Sequence, residues 1–429
     1  MKMRNHSYDV AVIGAGPAGL AAAGAAIEAG AENVVIIERD FRPGGILEQC
    51  IHVGFGLKYF KEELTGPEYA ARFIAEAKKD GVTFFLNTMV LSISEDGRQI
   101  RCINSEEGDI TLEVKSVVLS MGCRERTRTA IQIPGTRPAG IFTAGTAQRY
   151  INIQNLVVGK EVVILGSGDI GMIMARRMTL ENVKVKAVVE LMPYLAGLTR
   201  NRVQCLDDFG IPLYLSHTIT DIQGKKRVEG VTVAKVDEKG KPVAGTEFNI
   251  SCDTVLLSVG LIPENEVSKT CGVTLDPVTK GPIVDNTMQT SVKGVFACGN
   301  VVHVNDLVDN VSVESRIAGA AAARFARERH DADDKVVTVN TGENVRYVVP
   351  QKIDLNSGVE KVEIHFRVRQ PDRGVIIQAV CGEEIIHSHK CQIVNPGEIT
   401  SVKVDLDKIR NGNADEITVR VIKEGNDGN

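Results

Sequence analysis

No two of the nine cysteines, at positions 50, 102, 123, 205, 252, 271, 298, 381 and 391, form a Cys-x-x-Cys pair. Thiols scattered in this way predict neither a disulfide framework nor a zinc site. The net charge of −5 carries no long block of one sign and no clustered basic face, which argues against a nucleic-acid-binding role. The densest basic run, Arg124, Arg126 and Arg128, reads as a loop flank or a phosphate contact. The most apolar early stretch, Gly19 to Ile27, is too short and too rich in Ala and Gly to span a bilayer. The amino-terminal MKMRNHSYDVAVIG runs straight into a strand and leaves no room for a signal peptide, so a cytoplasmic, reducing setting is expected. With 429 residues, 43% hydrophobic and 24% charged, two to three soluble domains are expected.

What is present is glycine in a particular order. Tyr8 to Ile13 (YDVAVI) is a short apolar run that enters GAGPAG, Gly14 to Gly19, and then an Ala-rich stretch: strand, glycine turn, helix. Gly14 permits the tight turn, Gly16 lets the backbone approach a pyrophosphate, and Gly19 allows the helix to pack closely on the strand. Pro17 and Ala18 open that helix, whose exposed N–H groups face the phosphate. A second strand, NVVIIE, ends at Glu38, a carboxylate suited to the hydroxyls of an adenosine ribose. Arg39 and the glycine pair ending at Gly45, in RDFRPGG, follow as further contacts for a larger dinucleotide.

The arrangement recurs. EVVILGSGDIG places Gly166, Gly168 and Gly171 after a strand, with Asp169 and Ile170 at the helix start, and VKAVVE ends at Glu190. First glycine and terminal Glu are 24 residues apart in both copies. One GxGxxG is a weak signal; two copies with the same strand, helix, strand and acid are a strong one. No Arg follows Glu190 until Arg200, so this second site is expected to prefer NADH over NADPH.

In this order the motifs resemble those of the pyridine nucleotide–disulfide oxidoreductase superfamily, flavoproteins with two dinucleotide sites, over roughly residues 7 to 330. SVVLSMGCRER, Ser116 to Arg126 with Gly122, is similar to the superfamily's domain-crossing segment. TSVKGVFACGN, Thr290 to Asn300, is similar to its second flavin motif, in which Gly299 is followed by Asn300 where the family has Asp. The resemblance implies an α/β fold with two Rossmann-like domains: a split FAD domain, residues 1–122 and 283–331, and an NAD domain, residues 123–282. It also implies FAD and a nicotinamide dinucleotide as cofactors, with hydride exchange between nicotinamide and flavin. GGILEQCIHVGFG, GCRERTR and ACGNVVHVNDLVD further resemble a clostridial-type branch. Its members accompany a glycerol-3-phosphate dehydrogenase-like flavoprotein and a small cysteine-rich iron–sulfur protein, which implies an electron-passing subunit.

The superfamily's disulfide reductases carry GG-x-C-x₄-C, but here those cysteine positions hold Leu47 and His52. Cys50 is left as a lone thiol in a segment that the resemblance brings near the flavin. Two catalytic candidates follow: Cys50 cycling through a covalent sulfur intermediate, and His52 as a proton donor. A small hydrophobe and a loop histidine are the plainer readings. Three functions stay open: an NADH-oxidising FAD enzyme that passes electrons to a partner, a sulfur-species reductase using Cys50, and a non-catalytic scaffold with an idle NAD site. His303 and Asp306, just after the second flavin motif, are candidates for the flavin edge or for a solvated loop.

From residue 336 the pattern changes to period-two alternation. Seven short runs, from VVTVN to EITVRVIKEG, predict an all-β, sandwich-like domain at 336–429, read as a docking surface for a partner or for a second copy in a homo-oligomer. His387 and His389 share a strand face there, without a third metal ligand.

Overall fold

The apolar run His6–Ile13 forms the centre of a mostly parallel sheet, flanked by Val34–Ile37 on one side and Gly108–Leu119 on the other. Val10 to Ile13 and Val34 to Ile37 are all buried, as expected of parallel strands covered on both faces. Thr83–Phe85 extends one edge, and Gln99–Asn104 and Thr88–Ile93 extend the other as an antiparallel meander. Val295–Ala297, from far along the chain, pairs parallel with Gly108–Leu119 and completes the seven strands. The computed structural model describes residues 6–328, 335–411 and 415–424.

The chain divides into two compact units, Met1–Cys123 with Pro263–Asn429, and Arg124–Ile262. Residues 263–282, expected in the NAD domain, belong to the first unit, where their polar groups find partners. Asn265 Nδ2 donates to Val301 O (3.0 Å), and Ile93 N–H donates to Thr270 Oγ1 (2.9 Å). The end of the expected FAD domain, residues 329–331, lies outside the described residues. So do 412–414 and 425–429 of the β domain.

The second unit holds a five-stranded parallel sheet in the order Ile141–Thr143, Thr254–Leu257, Glu161–Leu165, Lys184–Val189, Leu213–Tyr214. A three-stranded antiparallel sheet, His217–Gln223, Gly230–Lys235 and Phe248–Ser251, accompanies it. The fold is thus α/β with two Rossmann-like sheets and a carboxy-terminal all-β region. Among the described residues no helix is long and apolar enough to cross a membrane.

The carboxy-terminal region packs a five-stranded sheet on a three-stranded one around Ile364, Phe366, Ile377 and Val402. The expected run VRYVVPQKI is divided: Val345–Val349 lies in the small sheet and Lys352–Asp354 in the large one. Pro350 stands between them and has no N–H to offer a ladder. The end of SVKVDLDKI is not strand but the helix Leu406–Asn411.

The helix Pro17–Glu28 lies against the long helix Val308–Glu328 through Ala and Gly faces. A Cβ on Gly319 would stand 1.9 Å from Ala22 O, whereas one on Gly24 would meet nothing within 4 Å. Gly319→Ala is therefore expected to destabilise the protein by about 2–3 kcal/mol, and Gly24→Ala to stabilise it by about 0.5–1 kcal/mol. Urea unfolding of the two variants beside the parent checks this; equal midpoints for all three would refute the close approach.

Candidate functional site

Both glycine turns are built the same way. The first glycine of each has positive φ, +104° at Gly14 and +99° at Gly166, which a side chain would strain. Its missing Cβ faces a serine carbonyl at the end of the third strand: Ser120 O at 2.7 Å from Gly14, and Ser258 O at 2.1 Å from Gly166. The third glycine of each turn, Gly19 or Gly171, meets the same serine's hydroxyl. Ser120 and Ser258 escaped the sequence reading, although VVLSMG and VLLSVG carry the repeat in plain view.

The terminal acids tie each turn together. Glu38, buried, accepts from Ala15 N–H through Oε2 (2.8 Å) and from Asp40 N–H through Oε1 (2.8 Å). Glu190, also buried, accepts from Ser167 N–H through Oε2 (2.8 Å) and from Met192 N–H through Oε1 (2.9 Å). In each case the donors are the residue after the first glycine and the residue two beyond the acid. Bonds from peptide N–H to a carboxylate are among the stronger hydrogen bonds, and each acid is fixed at the mouth of its turn.

The two helix starts differ. The helix Pro17–Glu28 has Gly16 as its cap, with no side-chain cap bond and no acidic residue in its first turn. A Cβ on Gly16 would enter open space, while Gly45 approaches the Gly16 Cα, 2.8 Å from its own missing Cβ. An uncapped helix start facing open space between glycines fits a dinucleotide pyrophosphate, so these residues suit FAD. Arg39, by contrast, is exposed. The helix Asp169–Leu180 begins with an acid whose Oδ1 accepts from Leu198 N–H (2.8 Å) and Asn201 Nδ2 (2.6 Å). Gly197 N–H donates to Ser167 O (3.1 Å), so the 196–201 segment is folded onto this turn.

At the second flavin motif, Asn300 uses both ends of its amide. Oδ1 accepts from Asn305 N–H (2.9 Å), and Nδ2 donates to Cys123 Sγ (3.7 Å). A carboxylate in its place has no N–H to donate. Gly299 N–H donates to Glu314 Oε1 (2.7 Å), and Glu314 Oε2 meets His303 Nε2 at 2.9 Å. His303 is 1% exposed and its Nδ1 has no hydrogen-bond partner, so it is a buried core group and not part of a solvated loop. Asp306 is likewise engaged, by Arg367. Glu314 had no sequence signal beyond its place in a helix.

Cys50 closes the 3₁₀ turn Gly45–Gln49, and its Sγ–H donates to Ile46 O (3.3 Å). Burial pushes its thiol up to about 12. His52 contacts Val53 O through Nδ1 (3.1 Å) and packs on Phe55. His387 Nε2 lies 3.0 Å from His389 Nδ1, and no group of three candidate ligands occurs among the described residues.

The description "pyridine nucleotide-disulphide oxidoreductase" belongs to the family model that matches residues 8–315. The chain belongs to this family. Its members are FAD-dependent oxidoreductases of pyridine nucleotides and bind FAD and NAD(P)H in general. An opine oxidase subunit of Agrobacterium tumefaciens (strain Ach5) is 24% identical over 363 residues, 78% of this chain and 67% of that protein. Thioredoxin reductase of Bacillus subtilis (strain 168) is 27% identical over 301 residues, 68% of this chain and 86% of that protein. The crystal structure of thioredoxin reductase from T. acidophilum is similar with a TM-score of 0.62 and 26% identity, covering 75% of this chain and 99% of that one. The family match stops at residue 315, before the β domain begins.

The state of Cys50 is open to direct measurement. At pH 8 a thiol with a pKa of about 12 is ionised in roughly one molecule in ten thousand. Iodoacetamide labelling at Cys50, followed by peptide mass spectrometry, is expected to run at least about 100-fold slower than with free cysteine. Labelling as fast as the free amino acid would show Cys50 to be a reactive thiol.

Proposed function

We propose that this protein is an FAD-dependent NAD(P)H oxidoreductase that prefers NADH and passes electrons to or from a partner protein as one component of a complex. The observation that carries the reading is the duplicated turn, Gly14 with Glu38 and Gly166 with Glu190, each acid held by the same pair of peptide N–H groups. FAD, when bound, supplies a two-electron acceptor for the nicotinamide hydride and a means of handing electrons onward.

The chain's part is to bind and to orient. Gly14, Gly16, Pro17, Ala18 and Gly19 would take the FAD pyrophosphate, with Glu38 at the ribose and with Gly45, Gly122, Gly299 and Asn300 as further contacts. Arg39, being exposed, would act only at the rim. Gly166, Gly168, Asp169, Ile170, Gly171 and Glu190 would hold the nicotinamide dinucleotide. Glu190 carries negative charge where a 2′-phosphate would lie, which supports NADH over NADPH. Likeness to the opine oxidase protein, which is named as one subunit of its enzyme, supports action within a complex. The partner is proposed as a glycerol-3-phosphate dehydrogenase-like flavoprotein with a small cysteine-rich iron–sulfur protein. A sulfur-species reductase working through Cys50 draws no support from a thiol held so far from ionisation.

One observation favours a second reading, a relay protein with an idle NAD site: the 196–201 segment is already bonded to Asp169 and Ser167. The two readings part under anaerobic mixing of the FAD-loaded protein with NADH. Loss of the oxidised-flavin absorbance is expected. Absence of both bleaching and saturable NADH binding would establish the idle site.

Coenzyme choice gives a further test. Glu190→Gln keeps an acceptor for Ser167 N–H but removes the charge. The KM ratio of NADPH to NADH is expected to fall about tenfold; an unchanged ratio would remove Glu190 as the selector.

A further inference from the structure

The loop between the second flavin motif and the helix Val308–Glu328 finds its partners in the β domain. Arg367, on the strand Lys361–Val368, donates through Nη2 to Val304 O (3.0 Å) and to the Asp306 carboxylate. Its Nη1 reaches Pro396 O (3.2 Å) and its Nε reaches Tyr347 Oη (3.1 Å). The other Asp306 oxygen accepts from Ile399 N–H (2.6 Å). The Arg367 and Asp306 side chains are only 13% and 17% exposed. A guanidinium with four acceptors in fixed directions holds its site rigidly, and a pair buried to this degree is costly to break from one side.

Between Val304 and Asp306 stands Asn305, whose N–H donates to Asn300 Oδ1 (2.9 Å). A continuous run of hydrogen bonds therefore leads from a β-domain arginine, through the 304–306 loop, to the amide of the second flavin motif. Asn300 cannot turn without breaking the bond to Asn305, and Asn305 cannot move without straining both of Arg367's contacts on either side.

We propose that Arg367 is a positioning residue for the FAD site. Through Asp306 and Val304 it fixes the 304–306 loop, and through Asn305 it sets the direction in which Asn300 presents its carboxamide. The β domain is then a working part of the cofactor site, and FAD affinity depends on a residue well outside the matched family region. This rests on the reading of the Asn300 motif as an FAD contact.

The test is the dissociation constant of FAD for the full-length protein, read by flavin fluorescence without any turnover. Wild type must bind FAD saturably; if it does not, the FAD reading itself fails. Arg367→Ala is expected to raise the constant about tenfold or more, the size of a lost charge-assisted hydrogen bond. Arg420→Ala, which removes a β-domain arginine bonded instead to Gln378 Oε1 (2.9 Å), is expected to leave it unchanged. Because Arg367→Ala strands a buried carboxylate, Arg367→Met with Asp306→Asn serves as a second, charge-neutral variant with the same expected loss. A merely structural role is separated by Asn300→Ala. In that background Arg367→Ala should add less than twofold, since its route runs through Asn300. Folded Arg367 variants that bind FAD within twofold of wild type, or losses that multiply fully with Asn300→Ala, would overturn the proposal.

Discussion

The strand-to-helix turn of each Rossmann-like sheet depends on one hydrogen bond, from the peptide N–H after the first glycine to a carboxylate at the end of the neighbouring strand. A buried backbone donor without a partner is costly, and a sharp turn leaves that donor pointing away from its own strand. Glu38 and Glu190 satisfy it from the side. In doing so they fix the turn and close the end of the second strand. The serine at the end of the third strand completes the frame, since its carbonyl comes so near the first glycine that no side chain fits there.

From this common frame the two units diverge at the helix start. In the first, the positive end of the helix dipole is left without a capping side chain or first-turn acid, and a phosphate would be its natural complement. In the second, Asp169 occupies the first turn and gathers Leu198 and Asn201 onto it. The acid there is compensated within the protein, so a dinucleotide would have to share the turn with the 196–201 segment. Equal spacing in sequence thus accompanies unequal demand on the ligand.

How much of this was legible follows from the range of each interaction. Glycines and acids 24 residues apart could be read because turn and strand end are local features with fixed residue requirements. The serines were visible in repeated text but carry no motif by themselves. His303 with Glu314, and Arg367 with Asp306, could not be read: each is a pairing between elements whose approach is decided by packing. Nor does a polar pair beside a flavin motif announce whether it faces solvent or core. Residues 263–282 failed for the same reason, since the boundary is set by where Asn265 and Thr270 find partners.

The β domain makes the point most sharply. In KVEIHFRV, Lys361–Val368, the burial pattern alternates, and Val362, Ile364, Phe366 and Val368 fill the sandwich core. That alternation is what identified a strand. The intervening residues read as a solvent face, yet His365 packs against His303 and Arg367 bonds to Asp306 and Val304. A period of two reports only that the two faces of a strand differ. It cannot distinguish water from the polar surface of another part of the same chain. Here that polar face meets the loop that follows the second flavin motif, and a domain that sequence suggested as a surface for docking others has one face already committed within its own chain.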